Sequence, residues 1–200
     1  MSKGRLEAFS DGVLAIIITI MVLELHPPHE ASVESLRPLV PELLSYLLSF
    51  VFLGIYWNNH HHLFQAVRQV NGRVLWANMH LLLWLSIIPF VTAWLGRTDF
   101  AAWPAAAYGV VMLMAAFAYY ILAHVLIAHH GRESVIAKAL GNDFKGKISV
   151  FLCAIAIPSA FVHPWIACGL YVLVAVMWLV PDRRIESVLA KHEHEEPAGH

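Results

Sequence analysis

Charge is what this sequence has least of. Of its 200 residues, 14% are Asp, Glu, Lys or Arg against 59% hydrophobic, and the mean hydropathy is +0.64. One soluble core of this length does not need so much apolar residue, so the chain reads as an integral membrane protein. Nowhere do five Lys or Arg stand together and the formal net charge is −1, which leaves no basic surface for nucleic acid. Cysteine is scarce as well. Cys153 and Cys168 lie in apolar stretches, where two small buried hydrophobes are expected rather than a disulfide or a redox pair. The "FSDG" of the first apolar run does not recur, which argues for one unit and against a fused duplicate. That run follows Lys3 and Arg5 as a signal peptide would. It also contains Glu7 and Asp11 and ends in Glu24-Leu25-His26-Pro27-Pro28 with no small-residue cleavage site, so it is expected to be retained.

What the sequence does have is long apolar runs. Six stand between polar breaks, at about 6–25, 41–64, 73–96, 103–128, 147–162 and 165–181, each near the ~20 residues a bilayer requires and the last two shorter. Residues 1–185 then form one transmembrane domain, and 186–200 a polar tail without a core of its own. Six spans put both termini on one side. Lys3, Arg5, Arg68, Arg73, Arg132, Lys138, Lys145, Lys147, Arg183, Arg184 and Lys191 share that side, against Arg37 and Arg97 opposite; by the positive-inside rule it is the cytoplasm. Trp94, Trp103 and Trp165 fall near the outer ends of their runs, as an interfacial belt does.

The first span has two faces. At ~100° per residue, Ile16, Thr19, Ile20 and Leu23 share one stripe, which Gly12 continues inward. Asp11 is about 140° away from Ile16, on the side of Leu14, Ile18 and Val22, so it faces neighbouring helices rather than the stripe. A carboxylate in hydrocarbon costs at least a few kcal/mol and needs a partner. The second span ends "YWNNHHHLF", which brings His60, His61 and His62 to a similar depth. The expectation is a network of Arg5, Asp11 and His60 or His61 that ties helices together, with solvation near the interface as the alternative. Thr19 is the one hydroxyl between Val13 and Leu23. Periodicity alone favours a hydroxyl bonded back to a carbonyl one turn earlier.

"R-x-x-x-F-S-D" at Arg5, Phe9, Ser10 and Asp11, a β-branched apolar run ending "VLEL", and "YW-x-x-HH-x-LF" from Tyr56 to Phe64 together resemble the bacterial branch of the transmembrane protein 175 family of lysosomal potassium channels. The resemblance spans nearly the whole chain in topology and about 30 residues in motif. It implies an all-α, six-helix fold in the bacterial inner membrane, with Phe9 and Ser10 joining the structural network, and a potassium-permeable pore lined by the first helix of each repeat. A one-repeat chain would need a homotetramer to supply four pore helices. Permeant potassium and other monovalent cations, the lipid bilayer and further copies of the chain are the partners implied, with no catalytic residue, metal or cofactor. The constriction would consist of Ile16, Ile20 and Leu23, with Thr19 as a hydroxyl layer, and discrimination of potassium over sodium would be modest. No TVGYG filter occurs here, and Ala15 stands where some members have Ser.

Two other readings compete. Thirteen histidines, among them His60-His61-His62, His80, His124 and His129-His130, loosely match the boxes of membrane di-iron desaturases; carboxylates are nearly missing from the spans and the spacings are imperfect. Asp11 and the same histidines could relay protons in a coupled transporter, but neither paired repeats nor broken helices are visible.

Overall fold

The computed structural model describes residues 2–28, 30–65, 67, 69–131 and 144–179. Six α-helices occupy them: α1 (Lys3–Leu23), α2 (Val40–Gln65), α3 (Gly72–Arg97), α4 (Ala102–His130), α5 (Phe144–Val162) and α6 (Pro164–Leu179). Each coincides with an apolar run of the sequence to within a few residues. The first five are long and apolar enough to cross a membrane, and α6 is described over 16 residues. The chain is an all-α, multi-pass membrane protein. Between α1 and α2, Glu34–Leu39 form a 3-10 helix with Pro38 inside it that leads into α2. Arg68, Arg132, Lys138, Arg183, Arg184, Lys191 and the tail 186–200 lie outside the described residues.

Helices α3 and α4 form the middle of the bundle. α3 packs against α1, α2 and α4, while α4 also packs against α5 and α6. The buried face of α3 carries Leu81, Leu85, Ile88 and Leu95; that of α4 carries Ala105, Ala106, Ala115, Ala118 and Ala123 beside Leu122 and Leu126. Alanine dominates the α4 seam for a physical reason. Lipid gives apolar helices little hydrophobic incentive to associate, so close backbone approach and dispersion must do it. Gly109 shows the same constraint: a Cβ there would meet the Tyr171 hydroxyl and Ile157. That leaves room for Tyr171 Oη to donate to the Ala105 carbonyl at 3.0 Å.

Polar groups inside the bundle are chained. Thr92 Oγ1 donates to the Ile88 carbonyl at 2.7 Å. Its single proton is thereby used, so Ser49 donates to Thr92 (2.7 Å) and Tyr108 donates to Ser49 (3.0 Å). This directed run crosses from α4 through α2 to α3 and leaves no proton unplaced. Cys153 and Cys168 are buried free thiols, as the sequence leads one to expect.

Near the C-terminal end of α3, Gly96 lets α3 meet α2: an added Cβ would stand 2.7 Å from Glu42 Cα and 2.6 Å from Ser45 Oγ. Backbone cannot yield as a side-chain tip can. Gly96→Ala is therefore expected to destabilise the protein by about 1–3 kcal/mol, whereas Gly54→Ala, in α2 with open space around it, should be neutral or mildly stabilising. Thermal unfolding of both variants in detergent checks this; equal melting points would contradict the close approach.

Candidate functional site: the first helix and its anchors

Only one side of α1 is covered. Leu6, Ser10, Leu14, Ile17 and Met21 are buried against α3 and α2, while Ile16 is 60% exposed, Ile20 43% and Leu23 71%. Phe9, Asp11, Gly12, Ala15, Thr19 and Val22 are exposed as well. On a helical wheel the exposed positions fill an arc of ~180°. Ile16, Thr19, Ile20 and Leu23 lie within that arc and Asp11 lies at its edge beside α2. The exposed face continues into a groove of about 710 Å³ between α1 and α3, walled by Ile16, Ile20, Phe90, Trp94 and Arg97 among others.

Near the beginning of α1, a buried chain of hydrogen bonds sets this orientation. Ser10 Oγ donates to the Leu6 carbonyl at 2.9 Å, and Asn78 Nδ2 of α3 donates to Ser10 Oγ at 2.9 Å. Asn78 Oδ1 lies 2.8 Å from His60 Nε2 of α2. The amide oxygen can only accept, so His60 carries its proton on Nε2. Ser10 and Asn78 are 0% exposed and His60 2%. Three helices are thus joined through groups that have no water to turn to.

Asp11 has a different partner from the one expected. Its Oδ1 accepts from Trp57 Nε1 of α2 at 3.0 Å, and no bond runs from it to His60 or His61. The reason is depth: α2 runs antiparallel to α1, and the residue level with Asp11 is Trp57, about one turn further into the span than His60 and His61. His61 stacks on Trp57 at 5.9 Å between ring centroids and bonds Gln65 instead. Arg5 and Phe9 are exposed on the uncovered side and are not drawn into the chain within one protomer. Of the six residues expected to form one network, the structure joins Ser10 to His60 through Asn78, and sets Asp11 apart with Trp57.

A second anchor holds the other end. Arg97 Nη2, at the last residue of α3, reaches Glu24 Oε2 at 2.8 Å and the Glu24 carbonyl at 3.1 Å. The two side chains are 44% and 45% exposed, so the ion pair is worth at most about 1 kcal/mol. Its geometric effect is larger, because it closes the C-terminal end of α1 onto α3. Between the anchors, Thr19 Oγ1 donates to the Ala15 carbonyl at 2.8 Å. This is the local bond that periodicity favours.

The other histidines among the described residues do not assemble into a metal box. Nε2 of His80 accepts from Trp84, and Nδ1 of His129 accepts from Asn71. His124 bonds the Tyr120 carbonyl of its own helix. Among the described residues no three His, Cys, Asp or Glu side chains converge as ligands would, so the desaturase-like spacing has no counterpart in space. Sequence reasoning missed Trp57, Asn78 and the Glu24–Arg97 pair. Asn78 carried a readable signal, since a buried amide within an apolar span has to find a partner.

These features define a multi-pass helical membrane protein whose first helix is held at both ends and left bare along one side. Comparison with known proteins places it further. A family model described as "Endosomal/lysosomal potassium channel TMEM175" matches residues 5–89, a range that includes α1, α2 and most of α3. A potassium channel of Chryseobacterium sp. (strain P1-3) is 54% identical over 192 residues, 96% of this chain and 100% of that one. The crystal structure of a lysosomal potassium-selective channel TMEM175 homolog from Chamaesiphon minutus superposes with a TM-score of 0.76 at 30% identity, covering 89% of this chain and 96% of the other. An endosomal/lysosomal proton channel TMEM175 of Gallus gallus is 39% identical over 79 residues, 34% of this chain and 16% of its own length. The chain belongs to the TMEM175 family of potassium channels, and it is not an enzyme.

The two anchors differ in burial and should differ in energy. Asn78→Ala leaves His60 and Ser10 each without a buried partner and is expected to cost about 2–4 kcal/mol. Arg97→Gln and Trp57→Phe should each cost about 1 kcal/mol or less, since their partners Glu24 and Asp11 reach solvent. Melting curves of the three variants in one detergent give the ranking, which fails if Asn78→Ala melts with the other two.

Proposed function

We propose that the protein is a passive, potassium-permeable cation channel that works as a homotetramer, with α1 of each subunit lining a central pore. The observation that carries this reading is the bare half of α1, which presents Ile16, Thr19, Ile20 and Leu23 on one side while the opposite face is fixed to α2 and α3. Four copies meeting about an axis would cover these faces, and the groove beside Phe90 and Trp94 would receive the neighbouring subunit.

The physics of such a pore follows from its lining. Rings of Ile16, Ile20 and Leu23 form an apolar neck that excludes water when narrow and so holds ions back without a moving plug. Thr19 supplies the polar layer. Its proton is committed to the Ala15 carbonyl, so what its oxygen turns outward is lone pairs, the right polarity for a cation. A single hydroxyl layer replaces only part of an ion's hydration shell, so discrimination of potassium over sodium is modest. Asp11, bonded to Trp57 at the edge of the bare face, positions the helix and does not form a charge ring in the path. Eleven of thirteen Lys and Arg on one side support a bacterial inner-membrane orientation with both termini cytoplasmic. No catalytic group, metal or cofactor enters this reading; potassium is the cargo.

Reconstitution in liposomes with a potassium gradient tests it, with parallel dyes for potassium, sodium and protons because some relatives are named proton channels. Potassium flux without a driving ion is expected; folded protein that passes no cation, or that moves potassium only uphill with protons, overturns the reading. Thr19→Ala should lower the potassium to sodium ratio, and an unchanged ratio would return Thr19 to a purely structural role. Asp11→Ala should reduce assembly or open fraction more than ion preference.

A further inference from the structure

A second groove, of about 840 Å³, lies between α3 and α4 at the end of the bundle where α1 begins. One wall is a stripe of α3 at helical spacing, Arg73, Trp76 and His80; the other is Ile121 and Val125 of α4, and Asn71 closes the end. The proposed pore leaves it unused. We propose that this groove binds an anionic phospholipid, with the phosphate on Arg73 and an acyl chain laid along Ile121 and Val125.

Depth, charge and polarity carry the inference. α3 has 26 residues and is ~39 Å long, close to the full bilayer with its headgroups. Its first turn, with Arg73, therefore stands at headgroup level, Trp76 at the boundary with hydrocarbon, and His80 about one turn further in. Arg73 is exposed and makes no hydrogen bond or ion pair with the described residues. No carboxylate is among the described residues that line the groove, so none of them neutralises the guanidinium, whose fork geometry suits a phosphodiester. Trp76 is 78% exposed, with an amphipathic ring placed where chain meets headgroup. His80 accepts from Trp84 on Nε2, which puts its proton on Nδ1 and makes it a neutral donor at the depth of the ester carbonyls. The lower wall is aliphatic. A soluble anion would use Arg73 alone; a phospholipid uses the whole gradient.

Native mass spectrometry of the purified oligomer from mixed phosphatidylcholine and phosphatidylglycerol vesicles at physiological salt tests this. Wild type is expected to retain phosphatidylglycerol in preference to phosphatidylcholine. Arg73→Gln should reduce that retention about tenfold, the loss of one charge-assisted phosphate contact. Val125→Phe, which fills the groove with the charge intact, should reduce it too, and Arg37→Gln at the opposite end should not. Retention by Arg73→Gln equal to wild type overturns the proposal. So does full competition by soluble glycerophosphate, which would mark a site for a free anion, and so does a change of oligomeric state in either groove variant, which would mark this face as a subunit contact. Potassium flux is not the readout, so failure here leaves the channel reading standing.

Discussion

The run of hydrogen bonds from His60 through Asn78 and Ser10 to the Leu6 carbonyl is the constraint on which the arrangement of α1 depends. In hydrocarbon an unpaired polar group costs several kcal/mol, so three buried polar side chains on three helices admit few rotations that satisfy all of them. Rotating α1 by one residue would carry Ser10 about 100° away from Asn78 and orphan the whole run. The apolar contacts of Leu14, Ile17 and Met21 are far less selective. They would tolerate a modest roll, because one aliphatic side chain packs against Leu85 or Ile88 much as another does. The polar chain thus sets the angle, and apolar packing supplies most of the attraction.

The far end of α1 is held more loosely. Glu24 and Arg97 are half exposed, screened by salt and free to exchange with water. Between Asp11, held by Trp57, and Glu24 lie about 20 Å of helix with no side-chain hydrogen bond to another helix among the described residues. The stripe of Ile16, Thr19, Ile20 and Leu23 occupies this stretch. A helix fixed firmly at one end and lightly at the other can lean without breaking its buried bonds. Leu23, nearest the loose anchor, would then travel furthest. Such motion suits an apolar constriction, whose wetting changes steeply with small changes of radius.

The sequence announces some of this architecture and conceals the rest. Span positions are legible because hydrocarbon tolerates so few charges: every apolar run of the sequence became a helix. The two faces of α1 are legible for the same reason, since 3.6-residue periodicity separates Ile16, Ile20 and Leu23 from Leu14, Ile17 and Met21. Partners across helices are not. Asp11 and the three histidines from His60 to His62 look matched by charge and approximate depth, yet a difference of one turn gives Asp11 to Trp57 and sends His60 to Asn78. Registry between antiparallel helices is decided by loop lengths and by packing along the whole seam, which local pattern does not encode. The histidines fail as a metal box on similar grounds: spacing along one helix says nothing of which neighbours stand opposite.

Thr19 shows how two readings that compete in the sequence coexist in space. A threonine bonded to the carbonyl one turn back is commonplace in membrane helices, and that bond is present. The bond fixes the rotamer and consumes the only proton, so the exposed side of the oxygen is purely an acceptor. A freely rotating hydroxyl would present a proton to the path part of the time and repel a cation. On the proposed reading, the local bond is therefore what suits Thr19 to face potassium, and structure and function make the same demand on it. The same logic separates Thr19 from Ala15 one turn earlier: Ala15 lends its carbonyl to the bond and offers no hydroxyl of its own, so in the proposed pore one polar layer, not two, would stand between the apolar rings. A single layer would ease a partly hydrated ion past the proposed neck without surrounding a bare one, and weak discrimination would follow from that shortage of oxygen.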